Sequence, residues 1–284
     1  MNRREEILAK IESISPLPVS TMRLIELGLN PETRSDDICR CMKDELFVDE
    51  LLRFVNSPYF QKGTFFSSLH EMEKELGNKR LRELAIVAAV KPIVQIPINE
   101  YDISTAEMIR HCLAVAIGAE ELAKALQLET PDFLFLAGFL HDIGKIMLDQ
   151  YELTDAKEIL KEAFTSQISV VAAEKKLHGI DHGEVGAILL RKWKMPADVI
   201  QSTRWHHHPI ACRDDVLMLD LINVSDSFVL MIGIGVGSEG LYYPVYNEIE
   251  ERLLLTTKIV ERVISQIQIG LEQLEPFFNA ESTG

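Results

Sequence analysis

The sequence predicts an all-α fold, and three observations carry that expectation. Apolar residues recur at helical spacing in "EEILAKIESI", "SDDICRCMKDELFVDELLRFV" and "LHEMEKELGNKRLRELAIVAAV". Sustained period-two alternation rich in β-branched residues, the mark of a half-buried strand, is hard to find in the chain. Prolines, among them Pro16, Pro18, Pro31, Pro58, Pro92, Pro97, Pro131, Pro196, Pro209 and Pro244, read as helix boundaries or first-turn residues.

Taken in order, residues 1–100 read as an N-terminal helical part. "FVNSPYF" places Asn56 and Ser57 before Pro58 as a helix end and turn, and Tyr59, Phe60, Phe65 and Phe66 read as packing residues. "KPIVQIPINEYDIS", residues 91–104, carries two prolines and no helical stripe, so a boundary is placed near residue 100. In the second part, 101–284, helices are marked by their caps. Ser104 with Glu107 forms a capping-box pattern before "MIRHCLAVAIGAEELAKAL", and Thr130 with Pro131 is expected to open "DFLFLAGFLHD". Asp181 with Glu184 opens "HGEVGAILLRKWKM", Pro196 separates it from "ADVIQSTRW", and a further helix is expected from about Asp214 to Ile232.

Bulk properties narrow the function. The 284 residues are 47% hydrophobic and 26% charged, an ordinary balance for a soluble globular chain. A net charge of −15 argues against a protein that grips phosphate backbones, and no nucleic-acid partner is expected. The densest basic cluster, Lys79, Arg80 and Arg82, reads as a solvated helix face. Cys39, Cys41, Cys112 and Cys212 form no CxxC pair, as suits a reducing compartment, and on a helix Cys39 and Cys41 diverge by roughly 200°, too far to share a metal. "MNRREEILAKIES" has no apolar signal core, and no apolar run reaches the ~18 residues of a membrane span, so a cytoplasmic protein without membrane contact is expected.

The chemistry lies in the second part, which holds all of the eight histidines except His70. "FLHDIGKIML" puts His141, Asp142 and Lys145 into an apolar stretch, where unpartnered charge would cost several kcal/mol. His111 lies in a helix that is apolar on most sides. His182 begins a capped helix, whose dipole at that end favours a neutral, ligating imidazole. His206, His207 and His208 follow Trp205, and Asp226 shares a helical stripe with Leu219, Ile222, Val229 and Leu230. Singly, each has a plain reading: His111 as a hydrogen-bonded core histidine, His182 as a surface residue, "HHHP" as a solvated turn, and Asp226 bonded to Ser225 or Ser227. Jointly, imidazoles and carboxylates from several helices are what a divalent transition metal needs.

This set resembles the HD superfamily of metal-dependent phosphohydrolases, with "HDIGK" similar to its HDIG subgroup. The chain further resembles the HDOD domain, the HD-related output domain of bacterial signalling, over roughly residues 10–235. The likeness rests on "SPLPVSTMRLIEL", "LLRFVNSPYF", "ELGNKRLRELAI" and "GIDHGEVGAILLRKWKMPADVIQSTRWHHHP". It implies a multi-helix HD-like bundle with an N-terminal HDOD subdomain. It also implies His111, His141, Asp142 and Asp226 as primary metal ligands, with His182, His206 and His207 completing a second site and His208 to spare. In active relatives of this kind, Lys145 would sit near the scissile phosphate beside the catalytic Asp142.

One or two ions of iron, manganese, zinc, cobalt or nickel, and no organic cofactor, are then expected. The leading expectation is a regulatory output or scaffold module that binds signalling proteins or a nucleotide or phosphoester. The chain lacks the GYP segment that follows the HH pair in cyclic-di-GMP phosphodiesterases. An active phosphohydrolase and a metal-free interaction module are the two alternatives, and the sequence leaves turnover and oligomeric state open. "GVGSEG", Gly235 to Gly240, spells a dinucleotide fingerprint without the strand and helix that would give it that meaning, and reads as a flexible loop able to act as a lid.

Overall fold

The computed structural model describes residues 2–14, 17–41, 45–61, 63, 65–96, 104–151, 153–212, 214, 217–235 and 246–279. Among the described residues every regular element is helical. The first part comprises α1 (Arg3–Ser13), α2 (Val19–Leu29), α3 (Ser35–Cys41), α4 (Glu45–Val55), α5 (Leu69–Leu76) and α6 (Asn78–Val94). The second comprises α7 (Thr105–Ala125), α8 (Leu134–Leu140), α9 (Ile143–Gln150), α10 (Ala156–Ser166), α11 (Val170–His178), α12 (His182–Lys192) and α13 (Ala197–Trp205). A short 3-10 turn at Pro209–Ala211 leads into α14 (Leu217–Met231), α15 (Asn247–Leu253) and α16 (Thr257–Asn279). No helix among the described residues is long and apolar enough to cross a membrane.

Helix α7 is the axis of the second part: it is buried from Met108 almost continuously to Ala123, and α8, α14 and α16 pack around it. Its capping box forms as the sequence predicts, with Glu107 N–H donating to Ser104 Oγ at 3.2 Å and Ser104 N–H to Glu107 Oε2 at 2.7 Å. From α16, Val263, Ile267, Leu271 and Leu274 enter the core. One apolar cluster runs from Ile7 to Leu274, and α10 and α11 carry a small separate one of Ile159, Ala163, Val170 and Ala173. At the other end of the chain, α1 is tied to α12. Lys192 Nζ donates to the carbonyls of Ile11, Glu12 and Ile14 at 3.1, 3.0 and 3.2 Å, gathering acceptors at the end of α1.

Four local expectations are corrected. The stretch from Leu69 to Val90 is not one helix, because Gly77, at φ +84°, ends α5 and begins α6 with a turn that a side chain would resist. Thr130 and Pro131 do not open α8. That helix starts at Leu134 after Phe133 at φ +63°, and its early Leu136 N–H is capped from α6 by Glu83 Oε1 at 3.2 Å. The basic cluster is not a solvated face. Only Lys79 pairs at the surface, with Asp132, while Arg82 is buried and donates to the Gly28 carbonyl at 3.0 Å. Arg80 reaches Glu83 and Glu120 at 2.6 Å each, stacks over Phe60 and Phe135, and so joins α6 to α7. Finally, Asn56 is more than a turn residue: its amide pairs with both the N–H and the C=O of Phe66 at 2.8 Å. Tyr59 packs on Phe60 and Phe135 as predicted, and its hydroxyl donates to Glu120 at 3.0 Å. The four cysteines are free.

Candidate metal centre

Five helical segments deliver the predicted residues to one place. His111 comes from the middle of α7, His141 and Asp142 from the junction of α8 and α9, and His182 from the first residue of α12. His206 and His207 follow α13, and Asp226 lies in α14. Asp181 caps α12 as predicted, accepting from Glu184 N–H at 2.6 Å, and thereby fixes where His182 starts. The junction of α9 with α12 is a backbone contact. A Cβ on Gly144 would lie 1.9 Å from the His182 carbonyl oxygen, which is why this position of "HDIGK" carries no side chain.

The seven residues fall into two groups, Asp142 with His182, His206 and His207, and His111 with His141 and Asp226, whose ligand atoms lie within 4.8 Å of one another inside each group. In the second group His111 Nε2 is 3.2 Å from His141 Nε2 and 3.3 Å from Asp226 Oδ1. In the first, His182 Nε2 is 3.4 Å from His206 Nε2, and both lie near Asp142 Oδ1, at 3.3 and 3.4 Å. Asp142 Oδ2 faces the other group, 3.5 Å from both His111 and His141. Asp142 therefore spans the two, and Asp226 Oδ2 lies 3.7 Å from His207 Nδ1 across the same divide. His208 is half-buried and belongs to neither group.

The ring orientations are set from outside the centre. His141 Nδ1 donates to the Gly138 carbonyl at 2.7 Å, His206 Nδ1 to Thr203 at 2.8 Å, and His111 Nδ1 to Ile234 at 3.3 Å. His182 Nδ1 lies 2.8 Å from Glu174 Oε2, which also accepts the His182 backbone N–H at 3.0 Å. Each of these Nδ1 atoms being committed outward, each ring turns its Nε2 inward. Two pairs of inward nitrogens then face each other at 3.2 and 3.4 Å, an arrangement that repels unless a proton or a cation lies between them. In addition, the buried Oδ1 atoms of Asp142 and Asp226 make no hydrogen bond. Buried carboxylate oxygens beside inward imidazole nitrogens form a group that could hold a divalent ion.

The electrostatics of these residues are mixed. Burial, with the neighbouring imidazoles, pushes His141 down to about 4 against the pull of Asp142 and Asp226. Burial opposes charge on His182 too, yet Glu174 and Asp142 raise it to about 10. The helix dipole at the start of α12 thus does not decide the charge of His182, because a buried carboxylate sits against its ring. Burial would raise Asp142, but Lys145 and the surrounding imidazoles hold it well below the usual carboxylate range. Lys145 Nζ is itself buried, 3.0 Å from Asp142 Oδ2. Asp226 does not bond to its neighbouring serines: Ser227 donates to the Asn223 carbonyl, and Ser225 Oγ makes no hydrogen bond.

Sequence reasoning missed the supports. Glu174 is fully buried on a helix whose "AEKKLH" looks like a surface face. Asn223 Nδ2 donates to the His206 carbonyl at 2.6 Å, and Tyr246 Oη to the His207 carbonyl at 2.9 Å. Gly235, the first residue of the "GVGSEG" segment, has φ +68° and lies against His111, where a Cβ would meet the histidine Cβ at 2.5 Å. The remainder of that segment, with the lid reading attached to it, lies outside the described residues.

An all-helical bundle around a buried His/Asp centre is the class that this fold and site define. The HDOD domain family model matches residues 14–209, and the chain belongs to that family. Solved structures share the fold. An HDOD domain protein of unknown function from Geobacter sulfurreducens superposes with a TM-score of 0.74 at 18% identity, covering 98% of this chain and 96% of that one. A candidate phosphohydrolase from Shewanella amazonensis SB2B gives 0.66 at 21% identity, with 92% and 97% covered. A candidate signal transduction protein from Marinobacter aquaeolei VT8 gives 0.72 at 18% identity, with 97% of this chain and 65% of that one covered. An uncharacterized protein of Treponema pallidum (strain Nichols) is 23% identical over 205 residues, 71% of this chain, and the match spans 39% of that relative's length.

Proposed function

We propose that this HDOD protein is a cytoplasmic signal-transduction regulator, an output or scaffold module built around a divalent-metal centre. His111, His141, Asp142, His182, His206, His207 and Asp226 would hold one or two ions of iron, manganese, zinc, cobalt or nickel, all of which accept nitrogen and oxygen ligands. The observation that carries the reading is the inward set of imidazole Nε2 atoms facing two buried carboxylate oxygens that make no hydrogen bond. The descriptions of the Marinobacter and Shewanella neighbours, a candidate signal transduction protein and a candidate phosphohydrolase, support the signalling reading and its hydrolase alternative. Residues 1–100 are taken as the N-terminal HDOD subdomain and 101–284 as the metal-bearing one.

A bound ion supplies a Lewis acid able to bring coordinated water to hydroxide near neutral pH. What the chain's own residues do favours regulation over turnover. The side chains of the centre are between 0 and 7% exposed, which leaves a phosphoester no open ligand face. Lys145, in reach of Asp142, favours the second reading, a metal-dependent phosphohydrolase in which it would offset phosphoryl charge.

Elemental analysis of tag-free protein tests the centre. At least one transition metal ion per chain is expected, and a chelator should lower the melting temperature because only the folded state holds the ion. Metal-free protein without a chelator response would leave the interaction-module reading instead. With full occupancy, silence across a panel of nucleotides and phosphoesters supports the scaffold, whereas turnover abolished by Asp142→Ala supports the hydrolase. Glu174→Gln, which keeps volume but removes the charge behind His182, is expected to weaken metal affinity by about tenfold to a hundredfold in competition with a chelating dye.

A further inference from the structure

A shallow, open cleft lies on the outer wall of the centre. Lys175, Trp205, His208, Ile210, Ala211 and Tyr246 line a cleft of about 490 Å³, a volume within the range of small-molecule sites. An indole, a phenol and aliphatic groups offer it a flat apolar wall, and the Lys175 ammonium offers charge. Lys175 pairs with Asp181 at 2.9 Å, Arg204 with Asp181 at 3.3 Å and with Glu184 at 3.4 Å, and Arg4 with Glu184 at 2.5 Å. In the network that Lys175 joins, three cations therefore share two carboxylates, an excess of one positive charge in a chain that carries −15. Arg204 also lies over the Trp205 ring, 4.4 Å from its centroid.

The cleft is wired to the centre residue by residue. Lys175 follows Glu174, the carboxylate behind His182; Trp205 precedes His206; and His208 follows His207, whose carbonyl accepts from Tyr246. Lys175 also sits on α11, which with α10 has an apolar cluster of its own apart from the main core. A molecule bridging Lys175 to Trp205 and Ile210 would pin that pair of helices to the wall of the centre.

We propose that this cleft binds a planar aromatic ring bearing one anionic group, a carboxylate or a phosphate, with the ring against Trp205 and Tyr246 and the anion on Lys175, and that its occupancy alters how the centre holds its ion. The binding stands on the cleft alone, and the relay rests on the metal reading above.

Trp205 fluorescence reads the binding, because the chain's second tryptophan, Trp193, is buried. The full chain is titrated with AMP, benzoate, adenosine and inorganic phosphate. AMP or benzoate is expected to give a saturable change, and whichever binds tighter identifies phosphate or carboxylate as the anion. Adenosine and phosphate, each carrying half of the recognised chemistry, should bind at least about tenfold more weakly, the worth of one charge-assisted hydrogen bond. Lys175→Met should lose a similar factor, as should Ile210→Glu, at a 52% exposed position where folding is not at stake. Lys176→Met, on the neighbouring lysine outside the cleft, should bind as the wild type does. No saturation by either AMP or benzoate, equal binding of adenosine or phosphate, or wild-type affinity in Ile210→Glu overturns the proposal. For the relay, saturating probe should shift the chelator concentration that strips half the metal, and an unchanged concentration defeats it. Probe binding to protein that elemental analysis finds metal-free sinks the centre and spares the cleft. Metal-loaded protein that binds no probe does the reverse.

Discussion

Gly144→Ala is expected to give a chain that is insoluble or melts far below the wild type. The added methyl would stand 1.9 Å from the His182 carbonyl oxygen, 2.7 Å from its carbon and 2.9 Å from the Gly186 nitrogen. All three atoms are main chain, so no rotamer change relieves the clash, and α9 and α12 must separate. Overpacking with side-chain relief costs ~1–3 kcal/mol, and without it the loss should exceed about 3 kcal/mol, a large share of a typical domain stability of ~5–15 kcal/mol. The same parting would move Asp142, at the start of α9, away from His182, at the start of α12, now 3.3 Å apart. Chemical denaturation and metal content should therefore fall together. A wild-type denaturation midpoint in Gly144→Ala would show that the two helices are not held in backbone contact.

Asp142→Ala is expected to be the most damaging change among the candidate ligands, for two separable reasons. Its carboxylate lies 3.0 Å from the Lys145 ammonium and within 3.5 Å of four imidazoles, so deletion takes a close carboxylate from a buried lysine. Breaking a buried pair from one side costs about 3–5 kcal/mol, and this loss should be measurable by denaturing chelated protein, where no ion contributes. Because its two oxygens face different groups, the same change should also deplete metal from both, whereas Asp226→Ala removes a ligand from one. Chelated Asp142→Ala with wild-type stability would contradict the first reason. Retention of one full equivalent of metal would contradict the second.

The helical fold and the placing of the seven histidines and aspartates were legible because their signals are local. Caps such as Ser104 with Glu107, and polar residues on apolar stripes such as Asp226, announce themselves within one helix. What escaped depends on partners distant in sequence. Glu174 looks like one charge among the lysines of α11 until His182 is seen against it. The cap of α8 is supplied by Glu83 of another helix, so no motif near Thr130 and Pro131 could reveal it. Arg80 and Arg82 look solvated because sequence shows charge but not the carboxylates and the Gly28 carbonyl that receive it. Apolar periodicity continues on both sides of Gly77, and only its positive φ shows that the stretch from Leu69 to Val90 is broken there.

The strap that Lys192 makes across the end of α1, and the four apolar side chains that α16 lays on α7, both lie partly or wholly beyond residues 14–209, the span that kinship recognises. Excised along that span, the chain would lose α1 from beside α12 and α16 from beside α7, where Ile267 packs on Gly118. Ancestry and enclosure thus have different borders in this molecule: the shared segment carries six of the seven candidate ligands, while the flanking helices cover the scaffold that aims them.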